Sequence, residues 1–211
     1  MILSLDTTSE FGSIALTEGD RTIEEVPLHS PDGFGHVLFQ HIQALLSRHG
    51  VPPREIDCFA AASGPGSFTG VRVGLTAVKG LAETTGQRVV AVSNLRALAS
   101  FGSAQLRAPI IDARRGEVYA ALYNSRLETV MPEVVLKLED WLRQLPPERF
   151  EFVSSAPIDT RHPVLTPPPE LAAAIGRIAW REFSAGRAQD PAAIDANYVR
   201  RSDAEIFWKG Q

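Results

Sequence analysis

The chain has 211 residues, of which 44% are hydrophobic and 22% charged, and its formal net charge is −4. This composition is typical of an ordinary soluble globular protein with one large domain or two small ones. The negative charge argues against a strong stand-alone nucleic-acid binder, because such affinity depends largely on Lys and Arg side chains that meet phosphates. It leaves open a nucleic-acid substrate that is held mainly by a partner chain.

The single cysteine, Cys58, lies in an apolar run and has no internal disulfide partner, so a reducing compartment is expected. We interpret it as a buried small hydrophobic residue rather than a reactive thiol. The N-terminal stretch MILSLDTTSE lacks the basic start of a signal peptide. No apolar run approaches the roughly 20 residues of a membrane span. We therefore expect a cytoplasmic protein without membrane contact.

The first half of the chain is predicted to alternate strands and helices. The N-terminal residues indicate a hairpin of Ile2–Leu5 and Ser13–Leu16, followed by a third strand in RTIEEVPL. Helical spacing of apolar residues predicts a helix in FGHVLFQHIQALLSRHG, and the run IDCFAAASGPG predicts a strand covered on both faces. A helix from about Thr69 to Thr85, the strand RVVAVSNL and the helix LRALASFG follow.

The second half, from near Ala108, repeats the opening pattern. PIIDARRGEVYAAL resembles LSLDTTSEFGSIAL, since both have a strand, an Asp at its end, a polar turn and a second strand. A further strand, the helix LEDWLRQL, the strand RFEFVSS, an irregular connection and the helix ELAAAIGRIAWREFSAG are predicted next. These elements predict an α/β protein with two lobes, 1–107 and 108–211, each with a mixed sheet. The tail 190–211 is expected to pack back on either lobe.

Asp6, Thr7 and Thr8 form the strongest candidate for phosphate or metal chemistry. A carboxylate at a strand end can hold hydrated Mg²⁺, and neighbouring hydroxyls can reach phosphate oxygens. The alternative is turn chemistry, in which these side chains bond to nearby backbone. Histidines 29, 36, 41 and 49 lack the spacing of a metal site. Ser63 and Ser67 do not fit a nucleophile motif.

GPGSFTGVRVGL is a glycine-rich turn that runs into a helix, but it lacks the Lys-Ser/Thr of a P-loop and the Rossmann glycine pattern. Within the helix, Gly70, Gly74, Ala77 and Gly80 form a stripe of small residues. Each helical glycine costs about 1 kcal/mol relative to alanine, so close backbone packing is expected to offset it. The surface against the stripe is either another helix of this chain or a second chain, with Arg72 and Lys79 beside the contact.

Four segments together resemble the TsaB (YeaZ-type) family, and the similarity runs through nearly the whole chain. They are ILSLDTTSEFGSIAL, GPGSFTGVRVGLTAVKGLA, VVAVSNLRALA and IDARRGEVYAALY, and the tail PAAIDANYVRR also fits. The resemblance implies the duplicated actin/Hsp70/sugar-kinase-like (ASKHA) fold. It further implies a role with a TsaD-like catalytic subunit, a TsaE-like ATPase and tRNA, whose adenosine 3′ of the anticodon receives a threonylcarbamoyl group.

Within that resemblance, this chain is expected to be the non-catalytic partner that binds no metal or cofactor. Asn94 and Leu98 stand where TsaD-like proteins carry their two metal-binding histidines, and leucine cannot ligate a metal. The candidate nucleotide turn, Ser154–Pro157, lacks glycine, which disfavours close approach of a purine. The residues Asp6, Thr7 and Thr8 are then vestiges of a phosphate site.

The resemblance also implies that the two helices of the first lobe meet the TsaD-like subunit, or a second copy of this chain when that subunit is absent. The expected interface residues are Leu38, Ile42, Leu45, Gly70, Arg72, Gly74, Ala77, Lys79 and Gly80. The alternatives are an ATP-dependent phosphotransferase that uses Asp6 as metal anchor, and a metalloprotease, which the residues at 94 and 98 disfavour. Direct tRNA contact through Arg114, Arg115, Arg200 and Arg201 is a further hypothesis.

Overall fold

The computed structural model describes residues 1–199 and contains two five-stranded sheets. The strands of the first sheet are β1 (Ile2–Asp6), β2 (Phe11–Glu18), β3 (Arg21–His29), β4 (Cys58–Ala62) and β5 (Arg88–Val92). Their order is β3-β2-β1-β4-β5. Strand β2 is antiparallel to both β1 and β3, whereas β4 runs parallel to β1 and to β5.

The second sheet repeats this arrangement. Its strands are β6 (Leu106–Asp112), β7 (Glu117–Asn124), β8 (Thr129–Lys137), β9 (Phe150–Val153) and β10 (Val164–Leu165). The order is β10-β9-β6-β7-β8, with antiparallel β6-β7-β8 and parallel β6-β9-β10. The same topology therefore occurs twice, which agrees with the predicted duplicated fold.

Five α-helices cover the sheets: α1 (Leu38–Arg48), α2 (Phe68–Thr85), α3 (Asn94–Ala99), α4 (Leu138–Gln144) and α5 (Ala172–Ser184). Short 3-10 turns occupy Pro53–Glu55 and Pro191–Ala193. The Ser67 Oγ caps α2 by accepting from Gly70 N, and Gly86 ends the helix in the left-handed region at φ 72°. These end points are those that a serine N-cap and a glycine C-cap favour.

The alternation of side chains along the first sheet explains its two covered faces. Leu3 and Phe59 point into a core that they share with α1 and α2. Their neighbours Ile2 and Cys58 point into a second core that they share with α3 and α5. Because successive residues of a strand face opposite sides, a strand buried on both faces has a near-continuous apolar sequence. This is the pattern of CFAAA in β4.

Helices α3 and α5 lie between the two sheets. The core that contains them also takes Ala121 and Tyr123 from β7 and Val153 from β9. The other face of the second sheet packs on α4, with Trp141 fully buried. The layers are thus α1 and α2, the first sheet, α3 and α5, the second sheet, and α4.

Helix α5 belongs to the second half of the sequence but packs on the first sheet, with Ser4 Oγ donating to Ala172 O at 2.7 Å. The chain then returns along β5, where Val89 and Gln189 exchange two backbone hydrogen bonds. Ile194 is buried in the core under α1 and α2. Residues 189–194 of the tail therefore pack on the first lobe, and the predicted boundary between residues 107 and 108 falls within β6, the first strand of the second sheet.

Two local predictions need correction. The first helix begins at Leu38 rather than near Phe34, because residues 34–37 form a turn that places the Phe34 ring in the core at 3% exposure. The connection that was expected to be irregular contains β10, which pairs with β9 through Val164 and Phe152. None of the helices in residues 1–199 combines the length and apolar character that crossing a bilayer requires.

Candidate functional site: the outer helical face and the interlobe cleft

Leu38, Ile42 and Leu45 of α1, predicted to supply apolar area to a partner, are at most 3% exposed. They pack inside the first lobe against strands of the first sheet. Little of these side chains is therefore exposed in the chain alone, and their place in a partner interface stays a prediction. The helical spacing identified a packed face correctly, but that face covers the chain's own sheet.

Gly70 and Gly74 of α2 also face inward. A Cβ atom on Gly70 would lie 2.0 Å from Thr7 O, and one on Gly74 would lie 2.7 Å from Thr7 Oγ1. Thr7 Oγ1 in turn donates to Gly70 O at 2.7 Å. The missing side chains thus let α2 lie directly against the turn that follows β1. Ala77, at 4% exposure, is buried as well, so of the four small residues only Gly80 is exposed and has open space where a Cβ would lie.

The outer side of the helices carries aromatic side chains that the sequence interpretation did not select. Phe39 of α1 is 56% exposed and Phe68 of α2 is 48% exposed. Phe39 lines two grooves, of about 430 and 500 Å³, on this side of the first lobe. We call the surface formed by Phe39, Phe68, Arg72, Val73 and Thr76 the outer helical face. Phe39 could have been found in the sequence, since it is a large apolar residue that lies outside the helical spacing of the buried residues of α1.

Arg72, which was predicted to lie beside a contact at the small-residue stripe, lies in this face, and its guanidinium carbon is 3.7 Å from the centroid of the Phe68 ring. Arg72 Nε donates to Tyr198 Oη at 3.1 Å, and the Tyr198 ring lies 5.6 Å from that of Phe68. Lys79 is half-buried further along α2. Of the predicted interface residues, Arg72 and Gly80 are exposed and Gly70 and Lys79 are half-buried, whereas Leu38, Ile42 and Ala77 are buried but line the grooves. The role of each in an interface stays a prediction.

Asp6 lies at the carboxyl end of β1 and is 2% exposed. Its Oδ1 accepts from Thr8 N at 2.9 Å and from Thr8 Oγ1 at 2.6 Å. Burial raises the pKa of the carboxyl group, although the Thr8 hydrogen bonds oppose this shift. A buried carboxyl group that has a raised pKa and bonds to its own turn is poorly suited to anchor Mg²⁺. The geometry therefore favours turn chemistry over the phosphotransferase alternative.

Asn94 is part of the same network. Its Nδ2 donates to Thr8 Oγ1 at 2.7 Å, its Oδ1 accepts from Gly64 N at 2.9 Å, and its own N–H donates to Gly64 O at 2.9 Å. Leu98 is 1% exposed in the core between the sheets. Both side chains are thus committed to internal contacts. Among residues 1–199, no three His, Cys, Asp or Glu side chains are grouped so that they could hold a metal ion.

A second polar cluster centres on Glu133 of β8, which the sequence interpretation missed. We call the junction of the two lobes that holds this cluster and the Asp6–Thr8–Asn94 network the interlobe cleft. The carboxylate accepts from Tyr123 Oη at 2.7 Å, from Asn197 Nδ2 at 2.5 Å and from Ser93 Oγ. Ser93 is also the N-cap of α3. Burial, and then the nearby Glu133, raise the pKa of Tyr123, so the phenol stays a donor. Glu133 thereby joins the second sheet to the end of β5 and to the tail.

Cys58 and Ser154 have ordinary structural roles, whereas the arginines proposed to contact tRNA stay a prediction. Cys58 is fully buried, and burial raises the pKa of its thiol to about 12, so the prediction of an unreactive hydrophobic residue is confirmed. Ser154 is 1% exposed, and its Oγ donates to Ala156 O within the glycine-free turn after β9. Arg114 and Arg115 are exposed in the β6–β7 turn with φ of 64° and 57°. Arg200 and Arg201 lie outside the described residues.

Comparison with known proteins places these features in a family. Residues 26–168 match the family model described as "TsaD: tRNA N6-adenosine threonylcarbamoyltransferase". The "tRNA threonylcarbamoyladenosine biosynthesis protein TsaB" of Bacillus subtilis (strain 168) is 38% identical over 149 residues, which cover 68% of this chain and 65% of the relative. The protein of the same name from Escherichia coli (strain K12) is 35% identical over 128 residues, which cover 58% of this chain and 54% of the relative.

The solved structure described as "YeaZ from Pseudomonas aeruginosa" has a TM-score of 0.77 and 27% identity, and the match covers 93% of this chain and 98% of that one. The matches to the curated relatives span between about half and two thirds of their length. The family model, the named relatives and the solved structure agree on the family and on the duplicated ASKHA-like fold. The chain belongs to the TsaD-like family of proteins, and within it to the TsaB (YeaZ-type) group.

Proposed function

We propose that this chain is a cytoplasmic, non-catalytic scaffold that binds and stabilises a TsaD-like catalytic subunit. In this proposal the complex transfers the threonylcarbamoyl group to the tRNA adenosine 3′ of the anticodon, with a TsaE-like ATPase as a further component. The names of the relatives support the pathway. The scaffold role is our inference from the two regions described above.

The outer helical face is the observation that carries the proposal. Phe39 and Phe68 are about half exposed on neighbouring helices, with apolar grooves beside them. Large apolar side chains exposed together mark protein interaction sites, and aromatic and Arg side chains supply most hot spots. When the TsaD-like subunit is absent, we expect the same face to pair with a second copy of this chain.

The cleft supports the absence of catalysis by this chain. The positions at which TsaD-like proteins carry metal-binding histidines hold Asn94, which is bonded to Gly64 and Thr8, and Leu98, which is packed in a core. Leucine cannot ligate a metal, and asparagine is a poor ligand for a soft or borderline ion. The chain therefore contributes structure, and the TsaD-like subunit contributes the reacting groups.

A paired substitution tests the interface. Phe39→Asp is expected to weaken binding to the TsaD-like subunit by about 30-fold or more, the effect typical of a hot-spot residue. The matched control is Phe11→Asp, because Phe11 is 45% exposed on β2 of the same lobe but lies outside the outer helical face. Calorimetric titration of each folded variant gives the Kd. An unchanged Kd for Phe39→Asp would contradict the proposed interface.

A reconstitution tests the scaffold role itself. The purified chain, supplied with threonylcarbamoyl-adenylate and tRNA, is expected to form no modified adenosine. Modified adenosine is expected only after the TsaD-like subunit is added. Modified tRNA formed by this chain alone, with no TsaD-like subunit detectable by mass spectrometry, would show that the chain is itself an enzyme.

A further inference from the structure

The tail that returns along the first lobe connects the interlobe cleft to the outer helical face. We call residues 189–199 the C-terminal strap. The strap begins at Gln189, which pairs with Val89 at the edge of the first sheet. It is then anchored by Pro191 and Ile194, both buried. These contacts fix the path of the strap before it reaches the cleft.

Asn197 is the residue at which the strap meets the cleft. Its backbone N–H donates to Ser63 O at 2.8 Å, and its Nδ2 donates to Glu133 Oε2 at 2.5 Å. Ser63 begins the segment that leads from β4 into α2, whereas Glu133 belongs to the second sheet. A single residue of the strap thus bridges the two lobes, and its bond to Glu133 is a charge-assisted hydrogen bond, which is stronger than a neutral one.

The next residue, Tyr198, lies on the outer helical face. Its hydroxyl accepts from Arg72 Nε, and its ring packs beside Phe68, over which the Arg72 guanidinium also lies. Two successive residues therefore contact the cleft and the first turn of α2. Because the Glu133 carboxylate also accepts from Ser93 and Tyr123, the cleft end of the strap is held by a network that spans both sheets.

We infer that the C-terminal strap is a positioning element that fixes the start of α2, and with it the Phe68–Arg72 part of the outer helical face, through the Glu133–Asn197 latch. Its consequence for partner binding depends on the proposed function. Its consequence for the chain alone does not, because the start of α2 becomes less protected whenever the latch is opened.

The latch is tested by Asn197→Ala, with Asp195→Ala as the matched control. Asp195 is exposed on the same strap, and its Oδ1 accepts from the neighbouring Ala196 N–H rather than from the cleft. In hydrogen exchange, amides of residues 64–72 are expected to exchange about ten-fold faster in Asn197→Ala than in the native chain or the control. Glu133→Gln should act in the same direction. Unchanged exchange in both latch variants overturns the inference.

Binding to the TsaD-like subunit gives the second readout. Asn197→Ala and Tyr198→Ala are expected to weaken binding several-fold, and Tyr198→Phe less so, since it keeps the ring beside Phe68. Suppose that Phe39→Asp weakens binding, but that Asn197→Ala and Tyr198→Ala show faster exchange and a native Kd. The inference that the strap positions the outer helical face for the partner is then overturned. If Phe39→Asp leaves the Kd unchanged, the proposed function fails, and the exchange experiment alone decides the role of the strap.

Discussion

The outer helical face and the interlobe cleft differ in how their side chains are partnered. The cleft is rich in polar groups, yet Asp6, Thr8 and Asn94 bond to one another and to the backbone. On the outer helical face, Phe39 and Phe68 stay about half exposed. Polar residues between two lobes suggest a catalytic site, but here their hydrogen bonds are made within the chain and stabilise the fold. The uncovered apolar residues are the ones that a partner could still bury.

The comparison also separates two kinds of glycine in one helix. Gly70 and Gly74 are close to Thr7, whereas Gly80 has open space around it. A stripe of small residues therefore does not mark a single surface. Gly74→Leu would consequently not test partner binding alone, because the added side chain would meet Thr7 before it met a partner.

The largest effect is expected from Gly70→Leu. Its Cβ would lie 2.0 Å from a backbone oxygen, so either α2 or the turn after β1 has to move. Overpacking of this kind typically costs about 1–3 kcal/mol and occasionally more, and we expect the upper end because the clash is with backbone. Urea unfolding measures the change in the free energy of unfolding. A variant with native stability would mean that α2 does not lie against Thr7.

Asn94→Leu should have the next largest effect. The substitution removes the acceptor of Gly64 N and a donor to Thr8 Oγ1, both in a buried setting. An unsatisfied buried donor costs about 1–3 kcal/mol, which thermal unfolding would detect. Asn94→Asp gives a further comparison, since it keeps the acceptor but brings a second carboxylate towards Asp6. If Asn94→Leu were as stable as the native chain, the cleft network would have no role in stability.

Asp6→Asn is expected to change how stability depends on pH. The folded-state pKa of Asp6 is raised above the ordinary value of 3.8, mainly by burial. A raised folded-state pKa makes folding less favourable as pH rises through that pKa, because the buried group must lose its proton. The stability of Asp6→Asn relative to the native chain should therefore increase from acidic to neutral pH. Urea unfolding over that range measures it, and a constant difference would mean that Asp6 is not desolvated.

The smallest effect is expected from Gly80→Ala. A Cβ atom added to this exposed helical glycine would have nothing within 4 Å of it, and replacing glycine by alanine in a helix stabilises by about 1 kcal/mol. A small rise in Tm, together with an unchanged Kd for the TsaD-like subunit, is the expected outcome. A large loss of affinity would instead show that a partner approaches α2 closely at Gly80, which would support the predicted role of this residue in an interface.

Local pattern was sufficient to predict most elements. Helical spacing located α1, glycine ended α2 at position 86, and the repeated strand–Asp–turn–strand pattern indicated the duplicated sheets. The predicted burial of Cys58 was correct because CFAAA has no polar residue that could face solvent. In each case the decisive information lies within a few residues along the chain.

The site could be predicted only in part, because its contacts join distant residues. Gly70 meets Thr7 across 63 positions, and Asn197 meets Glu133 across 64. A small residue fits equally well under a turn and against a partner, so spacing alone could not decide between them. Phe39 was missed for a related reason, since the strong apolar spacing of Leu38, Ile42 and Leu45 drew the interface prediction to the buried side of α1.

The position of α5 affects how the protein can be made. The first sheet is completed by β5 at Val92, but one of its faces is covered by a helix that begins at Ala172. Synthesis adds about 5–20 residues per second, so that apolar face stays uncovered for several seconds before α5 has been made. We therefore expect the first lobe alone not to fold as an autonomous unit, because α5 can cover this core only after most of the polypeptide has been made.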